Sequence, residues 1–245
     1  VYGGQVAAQG LWAAARTVAD GFLPHSLHAY FIRGGNSDEP IRYEVDRIRD
    51  GRSFATRRVV ARQSGGAILN LSASFHGIED APDATRLTMP ADLPEPEELA
   101  PHSWTPLLEH RAVRDTETWA RSWLRMLGPL GDDPVVHLAA HVYASDDLPT
   151  EAVELAHPLG RPDYADPEAV HPYMGASLDH VVWFHRFAPA DEWMLHEARS
   201  PGVAGNRGVS FGEIWSRDGV HVASIAQEVL LRVDRSPSRN PTLAD

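Results

Sequence analysis

Residues 177–186, SLDHVVWFHR, echo residues 25–33, HSLHAYFIR, at a fixed distance. Phe31 and Phe184, Arg33 and Arg186, Glu44 and Glu197, Gly66 and Gly219, and Ala73 and Ala226 are identical pairs 153 positions apart (184 − 31 = 153). Tyr30 and Trp183 add an aromatic pair at the same offset. A constant offset held across a whole set of extended segments marks a duplicated unit rather than chance.

Working outward, each unit reads as one helix followed by strands. Residues 3–18, GGQVAAQGLWAAARTV, form a helical pattern rich in small residues, which suits close packing against a sheet. Residues 25–75 then switch to extended segments separated by Gly, Asn and Asp turn signals. In the second half, Asp133 before Pro134 is a helix N-cap signal, and strand-like segments return from residue 177 to the closing VHVASIAQEVLLRV. Between the halves, DAPDATRLTMPADLPEPEELAP is acidic, proline-rich and weakly periodic. The division expected is a first repeat at 1–79, a linker at 80–103, a second repeat at 104–234 and a disordered tail at 235–245. A long helix wrapped by an antiparallel sheet, duplicated in one chain, is an α+β double hot-dog fold.

Composition narrows the chemistry. The 245 residues contain no cysteine and no lysine, which excludes disulfides, thiolate nucleophiles, Schiff-base lysines and the P-loop lysine. A net charge of −12 argues against nucleic acid as the partner. No apolar run reaches the length of a membrane span, no secretory signal pattern opens the sequence, and a cytoplasmic location is expected. Arg42, Arg47, Arg49, Arg52, Arg57, Arg58 and Arg62 crowd into one stretch with Asp46 and Asp50. They read as a solvated strand surface, with a local anion site as the sharper alternative.

Candidate catalytic groups come from face and spacing. Residues 177–186 read as a strand, which points Ser177 and Asp179 to one face and His180 to the other, so Ser177 and His180 cannot share a proton. Asp146 follows Val142 by four residues and falls on the apolar stripe of a helix, where burial makes a carboxylate a stronger base. The competing reading is that Asp146 or Asp147 caps the following segment, with Pro149 near its start; spacing alone favours it. Gln227 lies mid-strand beside Ala223 and Ile225, where cross-strand pairing is the ordinary reading. Gly3 and Gly4 open the first helix, and their N–H groups suit a substrate carbonyl oxygen as well as glycine suits tight packing. The pairs His25/His28, His137/His141 and His180/His185 lack a metal-binding pattern: His137 and His141 are spaced i,i+4, but no Glu follows His137 as H-E-x-x-H requires. No metal and no cofactor is expected, and His28 is retained only as a substrate-binding candidate.

Taken together, VYGGQVAAQGLWAA, the block HSLHAYFIRGGNSDEPIRYEVDRIRDGRSFATRRVVA, YASD, SLDHVVWFHR and RDGVHVASIAQEV resemble the type II acyl-CoA thioesterases, the TesB-like double hot-dog enzymes. The similarity runs over most of residues 1–232 and weakens between about 80 and 130. It implies hydrolysis of acyl-CoA thioesters by a water that Asp146 activates and that Ser177 and Gln227 position, without a covalent serine intermediate. It therefore reverses the spacing-based preference at Asp146 and Gln227 and leaves Asp179 and His180 structural. The best-known pattern of the family has Thr where this sequence has Ser177. The family also carries a segment and a strand ahead of V-F-G-G-Q; this sequence begins at that motif, so the start is expected to be truncated or that strand disordered. Acyl-CoA is the partner implied, and a homodimer or homotetramer is expected. A non-catalytic acyl-CoA-binding regulator on the same fold is the alternative, and a hot-dog hydratase fits less well because its local Asp-His motif is not found.

Overall fold

The computed structural model describes residues 1–113, 118–162 and 170–233. Helix α1 spans Gly3–Ala15 and is followed by β1 (Phe22–Phe31), β2 (Arg42–Asp50), β3 (Phe54–Gln63) and β4 (Gly66–Gly77). The second half contains β5 (Leu108–Val113), β6 (Ala120–Met126), α2 (Pro134–Ser145), α3 (Pro149–Leu155), β7 (Tyr173–Ser177), β8 (Asp179–Phe184), β9 (Met194–Arg199), β10 (Val203–Ala204), β11 (Arg207–Ser216) and β12 (His221–Val233). All strands join one 12-stranded sheet in the order β2-β3-β4-β1-β8-β12-β11-β9-β6-β5, with β10 on β11 and β7 on β12. The antiparallel β1–β8 pair, from Ser26↔Trp183 to Tyr30↔Asp179, is the seam between halves. This is a double hot-dog fold.

The 153-residue offset is a structural repeat. Shifted by it, β3 coincides with β11 end to end (54 + 153 = 207, 63 + 153 = 216). The helices start closer together, 131 positions apart (134 − 3 = 131), because α3 and its flanks intervene between α2 and β7. Asp133 caps α2 as expected, its side chain accepting from the Val135 N–H at 2.9 Å. Strands β5 and β6 were not expected from the sequence. Their alternation is short and broken, with Ser122, Trp123 and Leu124 buried in succession because both sheet faces are covered there.

What covers the outer face is the acidic stretch after β4. Met89, Leu93 and Leu99 pack on Trp123, Trp193, Leu195 and Trp215. The Trp123 indole donates to the Pro94 carbonyl at 3.0 Å, and Arg217 pairs with Glu95 and Glu97 at 2.7 and 2.9 Å. The tail expected to be disordered lies outside the described residues.

The arginine-rich strands depart from the solvated reading at one position. Arg58 pairs with Asp46, and Arg42 and Arg62 with Glu44, at the surface. Arg57, however, is only 1% exposed. Its guanidinium donates to the Thr17 hydroxyl (2.8 Å), the Thr17 carbonyl (3.0 Å) and the Arg49 carbonyl (2.8 Å), and it reaches Asp50. It therefore ties the end of α1 to β2 and β3. Arg57→Ala strands those buried acceptors and is expected to cost about 3 kcal/mol, read as a lowered urea midpoint at unchanged m-value.

One irregularity decides the site. Ser177 pairs with Val229 and Val181 with Ala226, so four steps on β7–β8 face three on β12 (181 − 177 = 4, 229 − 226 = 3). The extra residue is a β-bulge at Leu178–Asp179. Leu178 donates to the Glu228 carbonyl (2.9 Å) and its own carbonyl accepts from Phe31 (3.0 Å). The Asp179 carboxylate accepts from the Glu228 N–H at 2.6 Å, replacing the missing ladder bond. The bulge resets the alternation, so Ser177 and His180 point to the same side. The opposite-face expectation is thus corrected: it assumed an unbroken strand.

Candidate active site

Four elements converge on one carboxylate. Asp146 follows the last turn of α2 and is 6% exposed. Its Oδ2 accepts from the Gly4 N–H in the first turn of α1 at 2.7 Å, and its Oδ1 accepts from the Ser177 hydroxyl at 3.1 Å. The Gln227 amide, on β12 and 1% exposed, donates to the Ser177 oxygen at 2.8 Å. The structure thus brings together Asp146, Ser177, Gln227 and Gly4, residues scattered through the sequence. The capping alternative is overturned: Leu148 precedes α3 without a side-chain cap, and both carboxylates are engaged elsewhere.

The two neighbouring aspartates are in opposite electrostatic states. Burial pushes the Asp146 carboxyl above its ordinary range, and nearby His180 with the Ser177, Gly4 and Gln227 dipoles offsets this only in part. Burial also acts to raise Asp147, but His110, 3.2 Å away, and the Trp104 indole N–H at 2.6 Å outweigh it and hold Asp147 below the usual range. Asp147 is therefore a fixed anion facing away, whereas Asp146 is tuned towards accepting a proton.

Gly3 and Gly4 answer a packing need and an electrostatic one. A methyl at Gly4 meets the Tyr143 carbonyl oxygen at 2.6 Å, and one at Gly3 meets Asp146 Oδ2 at 2.9 Å. Only glycine lets α1 and α2 approach this closely. The sequence offers the Gly4 N–H for a substrate carbonyl and tight packing equally; the structure directs it at the Asp146 carboxylate, where the positive end of α1 favours an anion.

His28 is not brought to this constellation. It is exposed on β1, on the sheet face away from Leu27 and Ala29, and its ring meets Trp183 edge-on at 5.5 Å. His137 and His141 bond the backbone of residues 131 and 188–190, and among the described residues no cluster is arranged to hold a metal ion. No helix among them is long and apolar enough to cross a membrane.

Beside Ser177 opens a cavity of about 330 Å³ whose lining includes Gly3, Val6, Phe31, Ile68 and Leu178, with Arg33 at its rim. The site is thus a buried carboxylate with two polar partners, of which Ser177 lines an apolar pocket, an arrangement suited to activating water against a substrate with an apolar tail.

Residues 1–76 match the acyl-CoA thioesterase N-terminal domain family and residues 79–231 the acyl-CoA thioesterase C-terminal domain family. Acyl-coenzyme A thioesterase 8 of Mus musculus is 32% identical over an alignment covering 95% of this chain and 80% of that protein. Acyl-CoA thioesterase 2 of Haemophilus influenzae is 30% identical, covering 95% and 87%. The crystal structure of the acyl-CoA thioesterase II TesB2 from Mycobacterium marinum superposes with a TM-score of 0.82 at 36% identity, covering 96% of this chain and 90% of that one. The chain belongs to the acyl-CoA thioesterase II, TesB-like family. It is a thioester hydrolase.

Sequence reasoning missed His180 as a member of the site. It is fully buried, its Nδ1 lies 2.5 Å from the Gln227 carbonyl oxygen, and its Nε2 lies 2.8 Å from the Ser145 hydroxyl. The signal available in sequence was Asp179, an acid placed where it can replace a backbone acceptor at a bulge.

Proposed function

We propose that the chain hydrolyses acyl-CoA thioesters by direct attack of a water activated by Asp146 and positioned by Ser177 and Gln227. The observation that carries this is the hydrogen-bonded set Gly4–Asp146–Ser177–Gln227, whose Ser177 lines the apolar cavity. The acyl chain lies along Val6, Phe31 and Ile68, which puts the thioester carbonyl beside Ser177, and Arg33 at the rim suits a CoA phosphate. Asp146 takes one proton from the water as its oxygen bonds to the carbonyl carbon. The tetrahedral intermediate then collapses with breakage of the C–S bond, CoA leaves as a thiolate, and Asp146 gives up its proton to that thiolate or to solvent before the next turnover. A thiolate is a good leaving group, so little acid assistance is needed. The Ser177 hydroxyl is hydrogen-bonded to a carboxylate rather than to an imidazole base, as suits a water-positioning role.

Two outcomes follow. Ser177→Ala keeps the base but loses one water partner, so thiol release from acyl-CoA is expected to fall about tenfold, the worth of one net hydrogen bond, without vanishing. Complete loss with substrate still bound would point to a serine nucleophile instead. Because the base acts only when ionised, kcat/KM falls as pH drops through the raised carboxyl value of Asp146, so the acid limb lies above the ordinary Asp value of 3.8. A flat profile down to that value contradicts the assignment. Binding of acyl-CoA without thiol release at any chain length would favour the regulator.

A further inference from the structure

The proton positions of the buried network follow from its charged end. In the proposed reaction Asp146 is the ionised base and has no proton to give, so the single Ser177 proton points to Oδ1. The Ser177 oxygen then needs a donor, which sets the Gln227 amide with its NH₂ towards Ser177. That leaves the Gln227 carbonyl facing His180 Nδ1 at 2.5 Å, where only a protonated Nδ1 satisfies it. In a neutral ring Nε2 is then the acceptor, and the Ser145 hydroxyl, 2.8 Å away, turns its one proton to it from the Val142 carbonyl, 3.1 Å away and the other acceptor within its reach. Every bond from Ser145 to Asp146 thus runs in one direction. The opposite tautomer presents a bare Nδ1 to Gln227, turns the amide over and confronts Ser177 with a second acceptor.

We propose that His180, its Nδ1–H set by the Gln227 carbonyl and its Nε2 met by Ser145, is a positioning residue that fixes the Gln227 amide so that its NH₂ serves Ser177 and the hydrolytic water. The bulge at Leu178–Asp179 is what makes this reachable, since it turns His180 onto the Ser177 side. Asp179, by contrast, is hydrogen-bonded to the Glu228 backbone N–H, where it holds the bulge. The proposal rests on the water-activation reading above, which supplies the ionised Asp146, and the NMR measurement tests the tautomer apart from it.

The test uses the whole chain. In ¹⁵N-resolved NMR of the neutral protein, the His180 ring, identified by the signal lost in His180→Asn, is expected to carry its proton on Nδ1 with Nε2 bare. A proton on Nε2 with Nδ1 bare overturns the proposal. In steady-state hydrolysis of acyl-CoA, His180→Ala is expected to lower kcat about tenfold with KM nearly unchanged, the size of one hydrogen bond. His180→Asn, whose amide replaces the Nδ1 donor, is expected to restore most of that loss. Ser145→Ala, a smaller change that guards against misfolding of the histidine variants, is expected to lower kcat by a lesser factor. Unchanged kcat in folded His180→Ala and Ser145→Ala, or no difference between His180→Ala and His180→Asn, contradicts the proposal. If Asp146→Asn were fully active, the water-activation reading would fall, while the NMR result would still decide the tautomer.

Discussion

Asp146→Asn is expected to lose activity by a factor of about 10² to 10⁴, the range for removing a positioned general base, while the protein becomes no less stable at pH 7. The amide keeps the shape of the carboxylate and an acceptor for the Gly4 N–H, so the junction of α1 and α2 survives. The stability side follows from linkage. The folded-state pKa of Asp146 is raised by burial, so its favourable contribution is present below the unfolded carboxyl value and is lost as pH rises through the raised one. At pH 7 the ionised group is a net cost that Asn removes. A Tm equal to the wild type or higher by up to about 4 °C is expected at pH 7, the advantage narrowing as pH falls. Differential scanning calorimetry across pH, beside thiol-release assays, measures both. A dead variant that is also strongly destabilised at pH 7 would assign Asp146 a structural role.

The second large effect sits on α1. Gly4→Ala places a methyl 2.6 Å from the Tyr143 carbonyl oxygen and 2.7 Å from the Tyr2 ring. The first obstacle is helix backbone, which cannot turn aside. The helices separate by some tenths of an ångström, at an expected cost of about 1–3 kcal/mol for overpacking. The Gly4 N–H moves with them away from Asp146, and displacement of a catalytic group on that scale costs up to about 10²-fold in turnover. Gly10→Ala on the same helix is the control. Its methyl meets nothing nearer than Leu71 Cδ1 at 3.7 Å, so it is expected to be neutral or stabilising by up to about 1 kcal/mol, with activity intact. Urea unfolding and turnover of the two variants separate a close-approach glycine from a merely permitted one.

The contrast between these glycines shows what was legible beforehand. The doubled plan was readable because β1, β3 and β4 keep their register against the second half over a long stretch, and no local event disturbs an offset. Asp146 was visible as a carboxylate on an apolar stripe, but spacing ranked it below a capping role; only the resemblance reversed that. Alternation failed at Leu178, where one inserted residue turns every later side chain over, and a bulge has no composition of its own. Arg57 was misplaced for a related reason. A strand residue's exposure depends on what lies across it, and here the end of α1 supplies Thr17 as a buried acceptor. Strands β5 and β6 escaped notice because a covered outer face erases the polar positions that reveal a strand.

Direct attack of water is the claim on which the rest depends, and oxygen-isotope tracing tests it most directly. In a single turnover with enzyme in excess over acyl-CoA in H₂¹⁸O, the released fatty acid is expected to carry ¹⁸O, with no mass change in the peptides containing Asp146 and Ser177. Unlabelled acid with ¹⁸O appearing in Asp146, or an acyl adduct trapped on Ser177, would contradict it.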